Sequence, residues 1–411
     1  MKRIIKCSVP PRQCGGALLV IVFLLLAMAF GMLLATLPKA KNHDNFATSQ
    51  LNEAKWGLLN LAFGRQDDPD RHAPPGLLPF PDRRKDGNYD GFSDCPASGT
   101  ALTHRNRLGL LPRFGEDDGL VDKPGNPHGD RGRGMDICLR HEARGADIAP
   151  LDPSNAPIWY AVSANVVFDT LNWDYPTLTI SSVLSDTPAY PWLTICGPGG
   201  AVISTKAVMV LLAPAAPVGR QDRSAATPGA AAFLDATRLG GNGICGGIQS
   251  NSDAPNSTSA AWTFVQAPAA TDFNDRLVYI ETARYSDLLA ARVGDATRRW
   301  LDAFHTAFGQ FPDAADGSAS DSACLAGLHA GRIPLTEGNC TALAGRPLPA
   351  APAWMGTHGD NSGWYRQIGY RKYDNDHASI HFEGCEIVHE LSWEGASSHL
   401  AKTHAAHCRT G

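Results

Sequence analysis

The sequence has no surplus of positive charge: 36 Lys and Arg stand against 41 Asp and Glu in 411 residues, a formal net charge of −5. A nucleic-acid footprint normally shows as a basic stripe or a strongly basic domain, so that class of partner is excluded. No two cysteines form a C-x-x-C pair, which removes zinc-ribbon and thioredoxin-like readings. There is no H-E-x-x-H and no G-x-S-x-G elbow, and no internal repeat. The chain therefore reads as a non-enzyme, with no catalytic residues and no organic cofactor. One further absence organises the rest, for between Gly16 and Leu37 there is no charged residue at all.

That apolar stretch, GALLVIVFLLLAMAFGMLLATL, is about as long as a helix needs to cross a hydrocarbon core of roughly 30 Å at 1.5 Å per residue. Lys2, Arg3, Lys6 and Arg12 precede it without an acid, and cationic flanks stay on the cytoplasmic side. The expectation is a single-pass inner-membrane anchor with the remaining chain exported. A cleaved secretory signal is the competing reading, with Ala27-Met28-Ala29 as its small-x-small site. Against it, the apolar run continues through Phe30, Met32, Leu33, Leu34 and Leu37. A lipoprotein signal fits less well, because neither Cys7 nor Cys14 follows an apolar run.

Of ten cysteines, Cys95, Cys138, Cys196, Cys245, Cys324, Cys340, Cys385 and Cys408 follow the apolar stretch. An even exported set suits an oxidising compartment and structural disulfides. Their pairing is open, with Cys324 to Cys340 the simplest guess. Beyond Pro38, Ala47, Leu51, Ala54, Leu58 and Leu61 recur every three or four residues, an amphipathic helix that continues the first after a proline bend. Residues 67 to 155 are rich in Pro, Gly, Asp and Arg and read as a long irregular region. Strand signals follow at Ile158 to Val167, Thr177 to Leu184, Trp192 to Cys196, Ala207 to Ala213 and Arg276 to Glu281. Gly219 to Thr271 reads as loop. A helix is expected from Ser286, as N-cap, to about Phe308, and a last strand pair at Ser379 to Val388. The expected fold class is α+β: a long N-terminal helix, membrane-spanning in its first half, packed on a mostly antiparallel sheet with long disulfide-linked loops.

These pieces resemble the type IV pilin and type II secretion pseudopilin superfamily, and more narrowly its large prepilin-like proteins. The segment Gln50-Leu51-Asn52-Glu53-Ala54-Lys55-Trp56-Gly57-Leu58-Leu59 resembles the family's ALxxAKxALI helix, departing at Gln50 and Gly57. Leu78-Pro79-Phe80-Pro81-Asp82, followed by Asp86-Gly87, matches the LPxPDxxxDG loop. Ile158 to Asn165 is similar to a WYAVSxN strand, Val210 to Pro214 with Gly219-Arg220-Gln221 to a VIxAPG…GQ segment, and Asp272 to Leu277 to a DTFNDRL turn. The resemblance implies a leader, residues 1–16, cut by prepilin peptidase between Gly16 and Ala17, and a transmembrane helix over residues 17–37. It implies an amphipathic continuation over 38–65 and an exported globular domain over 66–411. Most pilins carry Glu at the fifth mature position, where this chain has Ile21. That departure points to a minor or tip subunit of a type IV pilus or secretion filament. The implied partners are other pilin or pseudopilin subunits, prepilin peptidase and the membrane. The alternative is an uncut, membrane-anchored periplasmic binding protein or enzyme.

Asp86, Asn88, Asp90 and Asp94 alternate as D-x-N-x-D-G-x-x-D, and oxygen side chains at that spacing around a turn-forming Gly91 can wrap calcium. The plainer reading is a solvated turn whose Asp and Asn side chains cap backbone groups. Gly241 to Gly246 fits G-x-G-x-x-G, but it follows no clear strand and opens no helix, so it reads as a loop. His377, His381, His389, His399, His404 and His407 crowd the C-terminus and read as a surface cluster.

Overall fold

The computed structural model describes residues 47–63, 75–83, 93, 102–112, 157–167, 178–219, 221–225, 228–255, 257, 259–316, 323–335, 349, 351–355, 364–382, 388–395 and 397–402. The chain forms two compact units, Met1–Gln50 and Leu51–Gly411. In the first, residues 47–50 are helical. Everything below concerns the second.

Helix α1 covers residues 51–63 and buries Leu51, Ala54, Leu58 and Leu61, while Glu53 and Asn60 stay exposed. The first sheet is built on β4 (Val202–Ala213), which pairs antiparallel with β2 (Trp159–Val162), β3 (Leu193–Cys196) and β8 (Arg276–Glu281). Strand β1 (Leu108–Leu110) extends it beside β2, and β7 (Thr263–Val265) runs parallel to β3. Side chains of β4 alternate between two cores. Val208 and Leu211 join Tyr160, Val162 and Ile280 on one face, and Ala207, Val210 and Leu212 join Trp159, Ala161 and Ile195 on the other. Burial on both faces explains why these strands read as unbroken apolar runs rather than as apolar-polar alternation.

The first of those cores also holds α1, α2 (Ile180–Leu184) and α3 (Thr282–Phe308). It includes inner residues Ile368, Tyr370 and Ile380 of a second sheet as well. Helix α3 has 27 residues and ends at Gly309, whose φ of 72° is the left-handed stop that glycine adopts most easily. Tyr285 of α3 donates its hydroxyl to the carbonyl of Gly76, where φ is +88° and an added Cβ would meet Leu289 at 3.0 Å. The second sheet is an antiparallel series β9 (Ala330–Arg332), β10 (Ile368–Lys372), β11 (His377–Phe382), β12 (Val388–Glu394) and β13 (Ser397–Lys402). His305 near the end of α3 stacks on Trp393 at 4.0 Å and bonds Asp376 at 2.8 Å. A two-stranded sheet, β5 (Ala236–Leu239) with β6 (Gly247–Ser250), completes the unit.

The expected plan, a long N-terminal helix on a mostly antiparallel sheet with disulfide-linked loops, is corrected. The described residues are β-rich and form three sheets, in which one strand pair is parallel. Among the described residues no helix is long and apolar enough to cross a membrane. The longest described helix comes instead from mid-chain, and one described disulfide, Cys196–Cys245, ties the end of β3 to the turn between β5 and β6. Cys324 is also disulfide-bonded, and Cys340 lies outside the described residues. The physical cause is that local periodicity carries helix and strand signals, whereas sheet partition depends on distant pairings.

Two smaller expectations change as well. Thr177 to Leu184, rich in β-branched residues, contains the short helix α2. There Thr179 accepts from the Ser182 N–H at 2.7 Å, and the Ser182 hydroxyl accepts from the Thr179 N–H at 2.8 Å, a reciprocal cap that overrides propensity. Ser286 is not the cap of α3, which starts four residues earlier; its hydroxyl donates to the Ala283 carbonyl within the helix.

Candidate functional site

Gly16, Ala17 and the calcium candidates Asp86, Asn88, Asp90 and Asp94 lie outside the described residues. Among the described residues, no group of three or more His, Cys, Asp or Glu is placed to hold a metal ion. Of the C-terminal histidines, His377 is exposed and bonds Asp374 at 2.9 Å, His389 is buried, and His381 sits exposed on β11. These three form no metal-holding group among the described residues, and His404 and His407 lie outside them. The glycine-rich 241–246 segment lies in the turn between β5 and β6.

The structure does bring two of the quoted segments together, at a buried pair of carboxyl groups. Asp235, just before β5, and Asp275, just before β8, are only 2% and 1% exposed. Gln221 donates its side-chain amide to Asp235 Oδ1 at 2.8 Å. The backbone N–H groups of Asn274 and Asp275 donate to Asp235 Oδ2 at 2.6 and 3.1 Å. In return, the Asp235 N–H and the Asn251 side-chain amide donate to Asp275 Oδ2 at 2.8 and 2.9 Å. Asn251 also accepts from the N–H of Val265 in β7 at 2.7 Å. Arg223 neighbours the pair and spends its guanidinium on the carbonyls of Ala215 and Ala232 and on Gln221.

Burial, and then the charge of Asp235, push the Asp275 carboxyl up to about 7. Burial also raises Asp235, but its three N–H donors favour its charge, so of the two Asp275 is the one whose protonated form is favoured. The arrangement ties Gln221, the β5–β6 hairpin, β7 and β8 into one body. It is closed to substrates at this depth of burial. Gln221, Asn274 and Asp275 belong to segments already singled out in the sequence. Asp235 and Asn251 do not, and no pattern marks them.

A second buried group likewise carries no sequence pattern. His104 and Arg107, in the turn before β1, are both fully buried. Arg107 donates to the carbonyls of Val162 and Thr103 at 2.8 and 3.3 Å, donates to His104 Nδ1, and lies 5.6 Å from the Trp262 ring. His104 must then carry its proton on Nε2, which faces the Ala260 carbonyl at 2.9 Å. Burial and the adjacent Arg107 push His104 down to about 4, and burial pushes Arg107 down to about 9. Carbonyls and a neutral imidazole, rather than a carboxylate, compensate this buried cation.

No protein-family model, curated protein or solved structure matches the chain.

Proposed function

We propose that the protein is a minor or tip pilin or pseudopilin: a structural, non-enzymatic subunit in a type IV pilus or type II secretion filament. What supports the reading is that segments resembling the family, Gly219 to Gln221 and Asp272 to Leu277, meet at one buried carboxyl pair although some 50 residues separate them in the chain. The apolar segment 17–37 anchors the chain in the inner membrane, with residues 66–411 exported, and later packs against other subunits. Apolar helices leave a bilayer only where they bury the same surface against one another. Other pilin subunits, prepilin peptidase and the membrane are the partners. Calcium at Asp86, Asn88, Asp90 and Asp94 belongs to the same proposal. Added calcium should raise the thermal midpoint of the wild type, as a native-state ligand must. An Asp90→Ala protein should not respond; an equal shift in both excludes this loop.

Processing at Gly16 tests the function. In cells with prepilin peptidase, N-terminal sequencing should read from Ala17, and Gly16→Leu should keep the leader attached and the protein in the inner membrane. An intact Met1 in peptidase-containing cells supports the anchored periplasmic binding protein or enzyme instead. A start at Phe30 means a secretory signal.

A further inference from the structure

We propose that the open edge of β4, residues Val202 to Lys206, receives the extended N-terminal segment of another polypeptide as an added β-strand. The inference stands apart from the filament reading, since it rests on the pairing of one strand. Three strands pair with β4, and a strand has only two edges. Ala207 pairs with both Leu193 of β3 and Glu281 of β8, and Leu212 pairs with both Trp159 of β2 and Leu277 of β8. Strands β2 and β3 therefore follow one another along one edge and cover it, while β8 alone takes the other. That strand stops at Glu281, opposite Ala207, where the chain turns into α3. Beyond it, five residues of β4 have no ladder partner on that side among the described residues.

The local surface agrees. A groove of about 330 Å³ runs along Val202 to Lys206 and the helix start Glu281 to Ala283. At ~30 Å³ per water it has room for about ten, so it suits a piece of chain rather than an ion. Val202 and Ile203 are 49% and 43% exposed, unusual for residues of their size. Val, Ile and Thr favour strands, and a row of unpaired N–H and C=O groups is a template that accepts extended main chain.

Glu281 decides which chain. It already sits opposite Ala207, so an incoming strand must end at Lys206, which calls for a chain terminus. Strand β8 runs antiparallel to β4, and a segment continuing its direction would place its α-amino group beside Glu281. The Glu281 carboxylate has no ion-pair partner among the described residues, and Lys206 is neutralised by Asp186 at 2.5 Å. The helix end contributes roughly half a positive charge, less than the full negative charge of Glu281, so an amine is favoured over a carboxylate. A second copy fits poorly. Pairing through the same five residues would put its Ala201, extended in line with β4 at φ −66° and ψ 135°, where Glu281 already lies.

The test is amide hydrogen exchange on the full chain in detergent, with a synthetic hexapeptide of alternating valine and threonine bearing a free α-amino group. Exchange of those amides from Val202 to Thr205 that point away from β3 should slow saturably, with a Kd on the order of 1 mM for so few main-chain bonds, while the Lys206 N–H, already donated to Ser204 Oγ at 3.1 Å, changes little. Acetylating the peptide should weaken binding about fivefold, the worth of one partly exposed ion pair. Glu281→Gln should erase that preference, and main-chain N-methylation of the peptide should abolish binding. No protection at saturating peptide, or equal binding of the acetylated peptide, overturns the proposal. So does protection of the same amides without peptide that grows with protein concentration alongside a dimer mass.

Discussion

Asp275 and His104 are buried groups pushed in opposite directions, and they give stability two opposed dependences on pH. The folded-state value for Asp275 is raised from 3.8 to about 7, so its contribution is full below about 4 and is lost as pH rises through 7. His104 is lowered from 6.5 to about 4, so its contribution is present above 6.5 and is lost as pH falls toward 4. One pKa unit corresponds to about 1.4 kcal/mol, so each group tilts stability by a few kcal/mol across the same window. Denaturant unfolding should therefore stay nearly level from pH 4 to about 6.5, where the two slopes cancel, and fall slightly toward 7. In Asp275→Asn the falling term should disappear, making the variant more stable relative to wild type at pH 8 than at pH 5. A pH-independent difference would mean that the pair does not hold a proton. Neither residue announces itself in the sequence: an Asp before a strand and a His in a turn are surface types by default, and only their enclosure changes their chemistry.

At the scale of elements, the β5–β6 hairpin is the piece least able to hold itself. It has two strands of four residues, Ile248 on it is 68% exposed, and an isolated two-stranded hairpin is at best marginal in water. Its ties include the Asp235–Asp275 knot, the Cys196–Cys245 bond, and the hydroxyls of Thr263 and Thr237, which donate to Gln249 at 2.6 Å and Asp272 at 3.3 Å. The disulfide closes a loop of 49 residues, which in the chain-entropy view is worth about 4 kcal/mol. Replacing Cys245 by Ala, with Cys196 also changed to Ala, should lower unfolding free energy by about 2–4 kcal/mol while leaving the sheet built on β4 intact by circular dichroism. A change under about 0.5 kcal/mol would show that the hydrogen-bonded ties suffice without the disulfide. At this scale the sequence was legible where the signal is local. Strands β2, β3, β4 and β8 and the body of α3 lie within or beside the expected runs. The hairpin was not foreseen, because its polar four-residue strands carry no apolar alternation. A β-branched run was likewise misread at α2, where a cap of two hydroxyls decided the conformation.

Across the whole unit, stability should be graded by how completely each strand is enclosed. Residues 207–212 of β4 are fully buried between two cores, so their amides should exchange only through global unfolding. Amides of Ala236 to Leu239 should exchange by a cheaper local opening, and reduction of the disulfide should speed them selectively. Equal exchange in both segments would mean that the hairpin and the sheet unfold as one. What the sequence alone determined is the set of apolar runs: the uncharged stretch from Gly16 to Leu37, the stripe of α1, and the continuous core strands. Each follows from side chains a few positions apart, whose spacing is set by the 3.6- and 2-residue periods of the backbone. Only the tertiary structure decided that β3 and β7 run parallel, that Gln221, Asp235, Asn251 and Asp275 share one buried site, and that β4 keeps an open edge. Those facts depend on which distant segments pack together, and packing of that kind is fixed by total burial and backbone pairing across the whole chain rather than by any local pattern.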